Sequence, residues 1–130
     1  MSYRILIVDD SPGMRAVLRR VIDLSGLPVE TCLSACHGGA ALAMLRSERI
    51  DLILTDINMP EMNGEELVAE LKKDPALREI PVLVISTDAT SNRMQRMLEL
   101  GAAGYVIKPF QPETLRSEVE RVLGEVNVTG

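Results

Sequence analysis

The sequence predicts an α/β fold in which five parallel strands form one sheet flanked by five helices. Two observations support it. Short apolar runs alternate five times along the chain with segments whose apolar residues recur at helical spacing. Several runs, such as 5–8 and 52–54, are continuous apolar blocks rather than alternating apolar and polar residues. Continuous blocks are typical of strands covered on both faces, and repeated strand–helix alternation is typical of a parallel sheet with right-handed crossovers.

Turn-forming or polar residues bound each predicted element. Pro12 lies in the first turn of the first helix, where proline is tolerated, and Gly101 is a stop signal after the fourth. The strands are expected at residues 4–8, 29–34, 51–55, 82–86 and 104–107. The helices are expected at about 12–22, 40–45, 65–71, 91–100 and from 112 onward.

Three of the helices carry an apolar stripe that is expected to face the sheet. The inward residues are predicted to be Met14, Val17, Leu18, Val21 and Ile22 in the first helix, Met94, Met97 and Leu98 in the fourth, and Leu115, Val119, Val122 and Leu123 in the last.

Length and composition are those of one ordinary globular domain. The 130 residues are 46% hydrophobic and 25% charged, and a chain of this length buries roughly two thirds of its unfolded surface. We expect a single domain over residues 1–124 and a short, loose tail over 125–130, without internal repeats or a long linker.

Charge and hydropathy exclude several classes of function. A net charge of −5 argues against a nucleic-acid-binding face, which needs clustered Lys and Arg. No apolar stretch approaches the roughly 20 residues that span a bilayer, and the N-terminus does not have the pattern of a signal peptide. We therefore expect a cytoplasmic protein that neither inserts into a membrane nor binds nucleic acid.

The two cysteines are expected to pack without a redox role. Within one extended segment, Cys32 and Cys36 would lie about 13 Å apart, which is beyond disulfide reach. A zinc site formed with His37 would lack a fourth ligand, and the spacing matches no usual zinc pattern.

Charged and hydroxyl side chains follow four of the five predicted strands at the point where each ends. Ligands of an open parallel sheet bind beyond the carboxyl ends of its strands, so these residues converge on one edge if the first and third strands are neighbours. They are Asp9 and Asp10 after the first strand, Asp56 at the end of the third, Ser86 at the end of the fourth and Lys108 after the fifth.

This set of side chains suits phosphoryl transfer to an aspartate. Three carboxylates in one place repel each other, and Mg²⁺, which prefers oxygen ligands, relieves the repulsion. Asp56 can then attack phosphorus as a carboxylate nucleophile, while Lys108 and Ser86 contact the phosphoryl oxygens. Taken singly, each residue is most simply explained as a turn or helix-cap residue. The five residues together indicate phosphoryl transfer.

Four segments resemble the receiver domain of two-component response regulators, in particular its stand-alone, CheY-like chemotaxis members. They are residues 5–11, 54–60 with the following Asn63-Gly64 pair, 81–86 and 101–110. The similarity extends over residues 3–123, with the segments in the order of the family. It implies a doubly wound, flavodoxin-like sheet with the strand order 2-1-3-4-5.

Position by position, the resemblance implies roles for the residues of this site. Asp56 would accept a phosphoryl group from a histidine kinase. Asp10, Asp56 and the backbone carbonyl of Asn58 would bind Mg²⁺, and Asp9 would contribute through water.

The resemblance also implies how phosphorylation would change the conformation of the protein. Lys108 would pair with the phosphate, and its bond to Pro109 would be cis. The Ser86 hydroxyl, at a position often held by threonine, would move toward the phosphate and draw in the 86–90 loop, and Tyr105 would turn inward. These changes would reshape the face of the fourth helix, fifth strand and fifth helix, where a protein target would bind. The protein would act as a monomer or as a phosphorylation-dependent dimer.

Three other functions are weighed against this one. A phosphorelay intermediate, which passes its phosphate to another histidine protein, belongs to the same class. A magnesium-dependent phosphatase would need a second aspartate two residues after Asp56 as general acid, and Asn58 holds that position. A flavin-binding electron carrier would need an aromatic-lined phosphate loop, and the chain has one Phe, two Tyr and no Trp. We therefore expect a signalling protein rather than an enzyme.

Overall fold

A computed structural model describes residues 2–59 and 61–129, with side chains as far as Gly124. Within these ranges, five strands alternate with five helices, as the sequence predicts. In chain order they are β1 (Tyr3–Val8), α1 (Pro12–Ser25), β2 (Val29–Ala35), α2 (Gly38–Leu45), β3 (Leu52–Thr55), α3 (Gly64–Lys73), β4 (Val82–Ser86), α4 (Ser91–Leu100), β5 (Gly104–Ile107) and α5 (Pro112–Thr129).

The five strands form one parallel sheet in the order β2-β1-β3-β4-β5, so the predicted fold class and strand order are confirmed. The order reverses at β1, because the chain moves outward to β2 and then returns to the other side at β3. Val8 at the end of β1 pairs with Thr55 at the end of β3. The residues that follow these two strands therefore begin side by side.

The core lies in two layers, one on each face of the sheet. Alternate residues of a strand point to opposite faces, so Leu6 and Val8 pack on one side while Ile5 and Ile7 pack on the other. Buried residues of α2, α3 and α4 cover the first side, and those of α1 and α5 cover the second. Burial on both faces accounts for the continuous apolar blocks in the sequence.

Side-chain caps fix where the helices begin. Ser11 and Thr90 accept hydrogen bonds from backbone N–H groups in the first turns of α1 and α4, and Asn63 forms a capping box with Glu66 at the start of α3. Such caps satisfy donors that have no partner within the helix. Gly101 ends α4 in a left-handed conformation, as the sequence predicts.

Two predicted core residues are in fact exposed. Val17 of α1 and Leu98 of α4 have 52% and 49% of their surface accessible, because the apolar stripe of each helix is wider than its contact with the sheet. Val17 borders an apolar hollow beside Phe110. Met97, the neighbour of Leu98, is fully buried, and the predicted stripe of α5 is buried as expected.

The last helix is longer than the sequence indicates. The backbone of α5 continues through residues 125–129, beyond the end expected near Gly124, and the short tail over 125–130 stays a prediction. One glycine inside a helix costs about 1 kcal/mol relative to alanine but does not by itself end the helix. The domain limits of residues 1–124 stay a prediction. In the described part of the chain, no helix combines the length and the apolar character needed to cross a membrane.

The adjacent Met97 and Leu98 allow a test of the corrected packing. We expect Met97→Ala to lower the free energy of unfolding by about 2–4 kcal/mol, because it leaves a cavity in a fully packed layer. Leu98→Ala should change it by about 0.5 kcal/mol or less, because an exposed side chain loses little on truncation. Urea unfolding followed by circular dichroism measures both. Equal losses in the two variants would contradict the burial described for α4.

Candidate functional site

Three aspartates meet where the order of the strands reverses. Asp9 and Asp10 follow β1 and Asp56 follows β3, and one carboxylate oxygen from each lies within 4.8 Å of the others. The backbone explains this proximity, since the Asp56 N–H donates to the Val8 carbonyl at 3.0 Å. Asp9 is buried, Asp56 is half-buried and Asp10 is exposed, so the cluster opens to solvent on one side.

Asp9 is the most buried acidic residue of the cluster. Its Oδ1 accepts the Ser11 N–H at 2.9 Å, while its Oδ2 has no hydrogen-bond partner among the described residues. Burial raises the pKa of Asp9, and the nearby charges of Asp56 and Asp10 act in the same direction, against the Ser11 N–H and Lys108. The carboxylate therefore needs more positive charge than the protein supplies.

Lys108 brings an ammonium group to the cluster from the end of β5. Its Nζ lies 3.6 Å from Asp56 Oδ2 and 3.7 Å from Asp9 Oδ2, which are ion-pair distances but too long for hydrogen bonds. The Lys108 N–H donates to the Ser86 carbonyl at 2.8 Å, and the bond from Lys108 to Pro109 is cis. One ammonium thus faces three carboxylates within this cluster.

The oxygen atoms of this cluster fit a hard divalent cation. They come from three carboxylates, and the buried Asp9 Oδ2 accepts no hydrogen bond from the described residues. Mg²⁺ prefers such oxygen ligands and keeps some of its waters, which the exposed side of the cluster permits. Asn58, the fourth predicted ligand, lies in an exposed position two residues after Asp56.

The two predicted switch residues meet on one loop residue. Ser86 is buried at the end of β4, and its Oγ accepts the Asp88 N–H at 3.1 Å. The hydroxyl of Tyr105, which is half-buried in β5, donates to the Asp88 carbonyl at 2.5 Å. Burial raises the pKa of Tyr105, so the hydroxyl keeps its proton and stays a donor. Ser86 and Tyr105 are therefore linked through the backbone of Asp88.

Gly64 allows the start of α3 to pack closely against the backbone of Asp56, the candidate phosphoacceptor. Its N–H donates to the Ile57 carbonyl at 2.7 Å, and a Cβ at this position would lie 2.5 Å from the Asp56 carbonyl oxygen and 2.8 Å from Ile57 Cα. Only glycine permits this approach. The Asn63-Gly64 pair stands just before the third helix predicted from the sequence, but its position there does not indicate the contact with Asp56.

Arg15 is a second residue of the site that sequence reasoning missed. The arginines of α1 appear in the sequence as a solvated helix face, yet the Arg15 Nη1 donates to the Asp9 carbonyl at 2.7 Å. The spacing of six residues carries no motif that would have revealed this bond.

The cysteines and His37 do not form a second metal centre. Burial raises the pKa of the Cys32 thiol, which lowers its reactivity at neutral pH. The imidazole of His37 caps α2, with Nδ1 accepting the Ala40 N–H at 3.1 Å and Nε2 lying 3.0 Å from a carboxylate oxygen of Glu61. Over residues 2–59 and 61–124, the aspartate cluster is the only group of three or more such side chains that brings ligand atoms together.

The fold and this site define the class of protein. The sequence model of the response regulator receiver domain matches residues 5–120, and the chain belongs to that family. Receiver domains are signalling domains, generally without enzymatic activity toward an outside substrate, that bind Mg²⁺ at an acidic pocket and interact with histidine kinases and downstream targets.

Individual relatives are similar over nearly their whole length. Chemotaxis protein CheY1 of Helicobacter pylori is 38% identical over 122 residues, which are 93% of this chain and 97% of the relative. The structure of chemotaxis response regulator CheY4 of Vibrio cholerae aligns with a TM-score of 0.80 and 34% identity, over 94% of this chain and 99% of that one. The receiver domain of a signal transduction histidine kinase from Syntrophus aciditrophicus aligns with a TM-score of 0.84 and 35% identity, over 96% and 92%.

Asp9→Asn is expected to stabilise the protein in the absence of Mg²⁺. Because the pKa of Asp9 is raised in the folded state, its contribution to stability is fully present below the ordinary carboxyl pKa and is lost as the pH rises through the folded value. At pH 7 the ionised group therefore destabilises the fold, and the amide should raise the free energy of unfolding. The gain should shrink toward pH 4.

Urea unfolding with and without Mg²⁺ tests this prediction. Excess Mg²⁺ should stabilise the wild type by mass action and the variant less, because the variant has lost a charge near the cation. An amide variant that is less stable than the wild type at pH 7 without Mg²⁺ would contradict the electrostatic account of the cluster.

Proposed function

We propose that this protein is a stand-alone response regulator that a histidine kinase phosphorylates on Asp56 in the presence of Mg²⁺. The observation that carries the proposal is the meeting of three carboxylates with Lys108 where β1 and β3 end. Family membership and the similarity to proteins named for chemotaxis support signalling of the chemotaxis type. This function implies a cytoplasmic location.

Asp56 is the nucleophile of the proposed reaction. Its carboxylate forms a bond to phosphorus while the bond between phosphorus and the donor's histidine nitrogen breaks. The Ile57 N–H donates to Asp56 Oδ1 at 2.7 Å, which leaves Oδ2, on the side of Lys108, for the new bond. Lys108 is then close enough to pair with the transferred phosphoryl group.

Mg²⁺ would be held by Asp10, Asp56 and the Asn58 carbonyl, with Asp9 acting through water. When bound, it supplies positive charge to the carboxylates and to the phosphoryl oxygens. The buried Oδ2 of Asp9, which accepts no hydrogen bond from the described residues, supports this assignment.

Phosphorylation acts by shifting an equilibrium between two conformations. The Ser86 hydroxyl donates to the phosphoryl group in one of them, and the loop that follows Ser86 and the Tyr105 ring move with it. A shift from 1:99 to 99:1 requires about 5.5 kcal/mol of difference in contacts between the two states. Two or three charge-assisted hydrogen bonds, partly offset by ordering of the loop, are of this size.

The face of α4, β5 and α5 is the proposed surface for a protein target. Leu98 on α4 and Ile107 on β5 are large apolar side chains that are 49% and 39% exposed, and Tyr105 lies half-buried on the same strand. A partner that covers these side chains would gain hydrophobic contact.

A phosphorelay intermediate is the second candidate. The similarity to the receiver domain of a histidine kinase favours it, because such a domain is not a stand-alone regulator. Transfer of labelled phosphate from Asp56 to a second histidine protein would support this alternative, and tighter binding of a protein target on phosphorylation would support the first.

Asp56→Asn is expected to abolish phosphorylation, because an amide cannot act as the carboxylate nucleophile. The measurement is intact mass after incubation with acetyl phosphate and Mg²⁺, in which only the wild type should gain the mass of one phosphoryl group. Asp23→Asn, at an exposed position on α1, is the matched control and should gain it too. Full phosphorylation of Asp56→Asn would refute the assignment of the acceptor.

Lys108→Ala is expected to separate phosphorylation from the response to it. The variant should still gain the phosphoryl mass, because Asp56 is intact, but the conformational change should be smaller because the ammonium no longer contacts the phosphoryl group. Incorporated 3-fluorotyrosine reports Tyr105 by ¹⁹F NMR. A phosphorylation-induced shift of this resonance that equals the wild-type shift would rule out a role for Lys108 in the switch.

A further inference from the structure

Asp88 joins more groups of the switch than any motif in the sequence indicates. Its N–H donates to Ser86 and its carbonyl accepts the Tyr105 hydroxyl. Its carboxylate accepts both the N–H and the hydroxyl of Thr90, at 3.0 and 2.8 Å. The position of this one residue therefore decides whether Ser86 and Tyr105 keep their present partners.

Arg93 ties Asp88 to a different helix. The Arg93 Nε lies 3.5 Å from Asp88 Oδ2, and its Nη1 donates to Glu65 Oε1 at 2.5 Å. Glu65 is in the first turn of α3, directly after Gly64, which packs on the backbone of Asp56. The guanidinium thus connects the element beside the phosphoacceptor to the loop that holds the switch residues.

The two contacts of Arg93 differ in strength. The side chains of Arg93 and Glu65 are 34% and 26% exposed, and their short charge-assisted hydrogen bond is stronger than an ordinary exposed ion pair. The contact of Arg93 with Asp88 is a longer ion pair. The planar guanidinium can contact two carboxylates at once, which a lysine ammonium does less well.

We propose that Arg93 is a positioning residue of the phosphorylation switch, because its guanidinium pairs with the carboxylate of Asp88, the residue whose carbonyl accepts the Tyr105 hydroxyl. The proposal rests on the proposed function insofar as Ser86 and Tyr105 are the switch. It adds that the unphosphorylated balance of Tyr105 between bound and free positions is set by Arg93 and Glu65. Loss of Arg93 releases the loop and lowers the population of the Asp88-bound ring.

The experiment uses the two tyrosines of the chain. In protein containing 3-fluorotyrosine, Tyr105 gives the reporting ¹⁹F resonance, and Tyr3 at the start of β1 gives an internal reference. Without phosphodonor, Arg93→Met should move the Tyr105 resonance toward the position of the free amino acid, with the bound population lowered about threefold. The Tyr3 resonance should not move.

Arg96→Met is the matched control, because Arg96 also lies on α4 and lines the same hollow as Arg93, Glu65 and Asp88, but no ion pair involving it is found among the described residues. It should leave Tyr105 unchanged. Glu65→Gln should cause a smaller shift in the direction of Arg93→Met, and Arg93→Lys should restore part of the wild-type population. Equal shifts in Arg93→Met and Arg96→Met, or none in Arg93→Met, would overturn the proposal.

A charge swap separates positioning of Asp88 from simple pairing of two helices. The double variant Glu65→Arg with Arg93→Glu re-forms a pair between α3 and α4 but places a carboxylate beside Asp88. We expect its thermal stability to recover relative to Arg93→Glu alone while the Tyr105 resonance stays displaced. Recovery of the Tyr105 resonance together with stability would show that Arg93 acts only through helix pairing, and would overturn the proposal.

The same samples distinguish failure of this proposal from failure of the proposed function. Addition of acetyl phosphate and Mg²⁺ to the wild type, followed by intact mass, tests phosphorylation of Asp56 without reference to Arg93. A wild type that gains no mass refutes the proposed function, whatever Tyr105 does. A wild type that gains mass, with an unmoved Tyr105 in Arg93→Met, refutes only the role of Arg93.

Discussion

The parallel pairing of β1 with β3 is the constraint on which the rest of the site depends. It pairs Val8 with Thr55, so the residues that come next, Asp9 and Asp56, lie close together. The reversal of strand order at β1 leaves the space beyond these strand ends free of a crossing helix, which is where ligands of such sheets bind. The backbone therefore concentrates negative charge at an accessible edge before any ligand arrives.

This concentration of charge costs stability, and the fold offsets it with neutral and positive contacts. The Ser11 N–H donates to Asp9 Oδ1, and Lys108 and Arg15 approach the residue from β5 and α1. Neither group makes a hydrogen bond to the Asp9 Oδ2. The remaining imbalance favours a cation in the cluster, because a positive charge beside the carboxylates relieves their mutual repulsion.

Much of the fold could be predicted from the sequence because local patterns indicate the strands and helices: apolar blocks, helical spacing and stop signals. The strand order came from a resemblance, since spacing alone does not say which strands are neighbours. Val17 and Leu98 were misassigned because periodicity gives the apolar side of a helix but not the width of its contact. The bond between Arg93 and Glu65 joins residues 28 apart in the sequence, and no local pattern encodes such a partner.

The residues that connect Asp56 with Tyr105 lie on one face of the sheet. Along β5, Tyr105 packs against the layer that contains α3 and α4, whereas Val106 packs against the layer of α1 and α5. Gly64, Arg93 and Asp88 also belong to the α3–α4 side. Asp56 and Tyr105 are therefore connected through residues of one layer, while the other layer holds the strands in register. Under the proposed function, a movement along this connection would let a local charge change select between two arrangements without loosening the whole domain, because interiors are close-packed and resist gradual deformation.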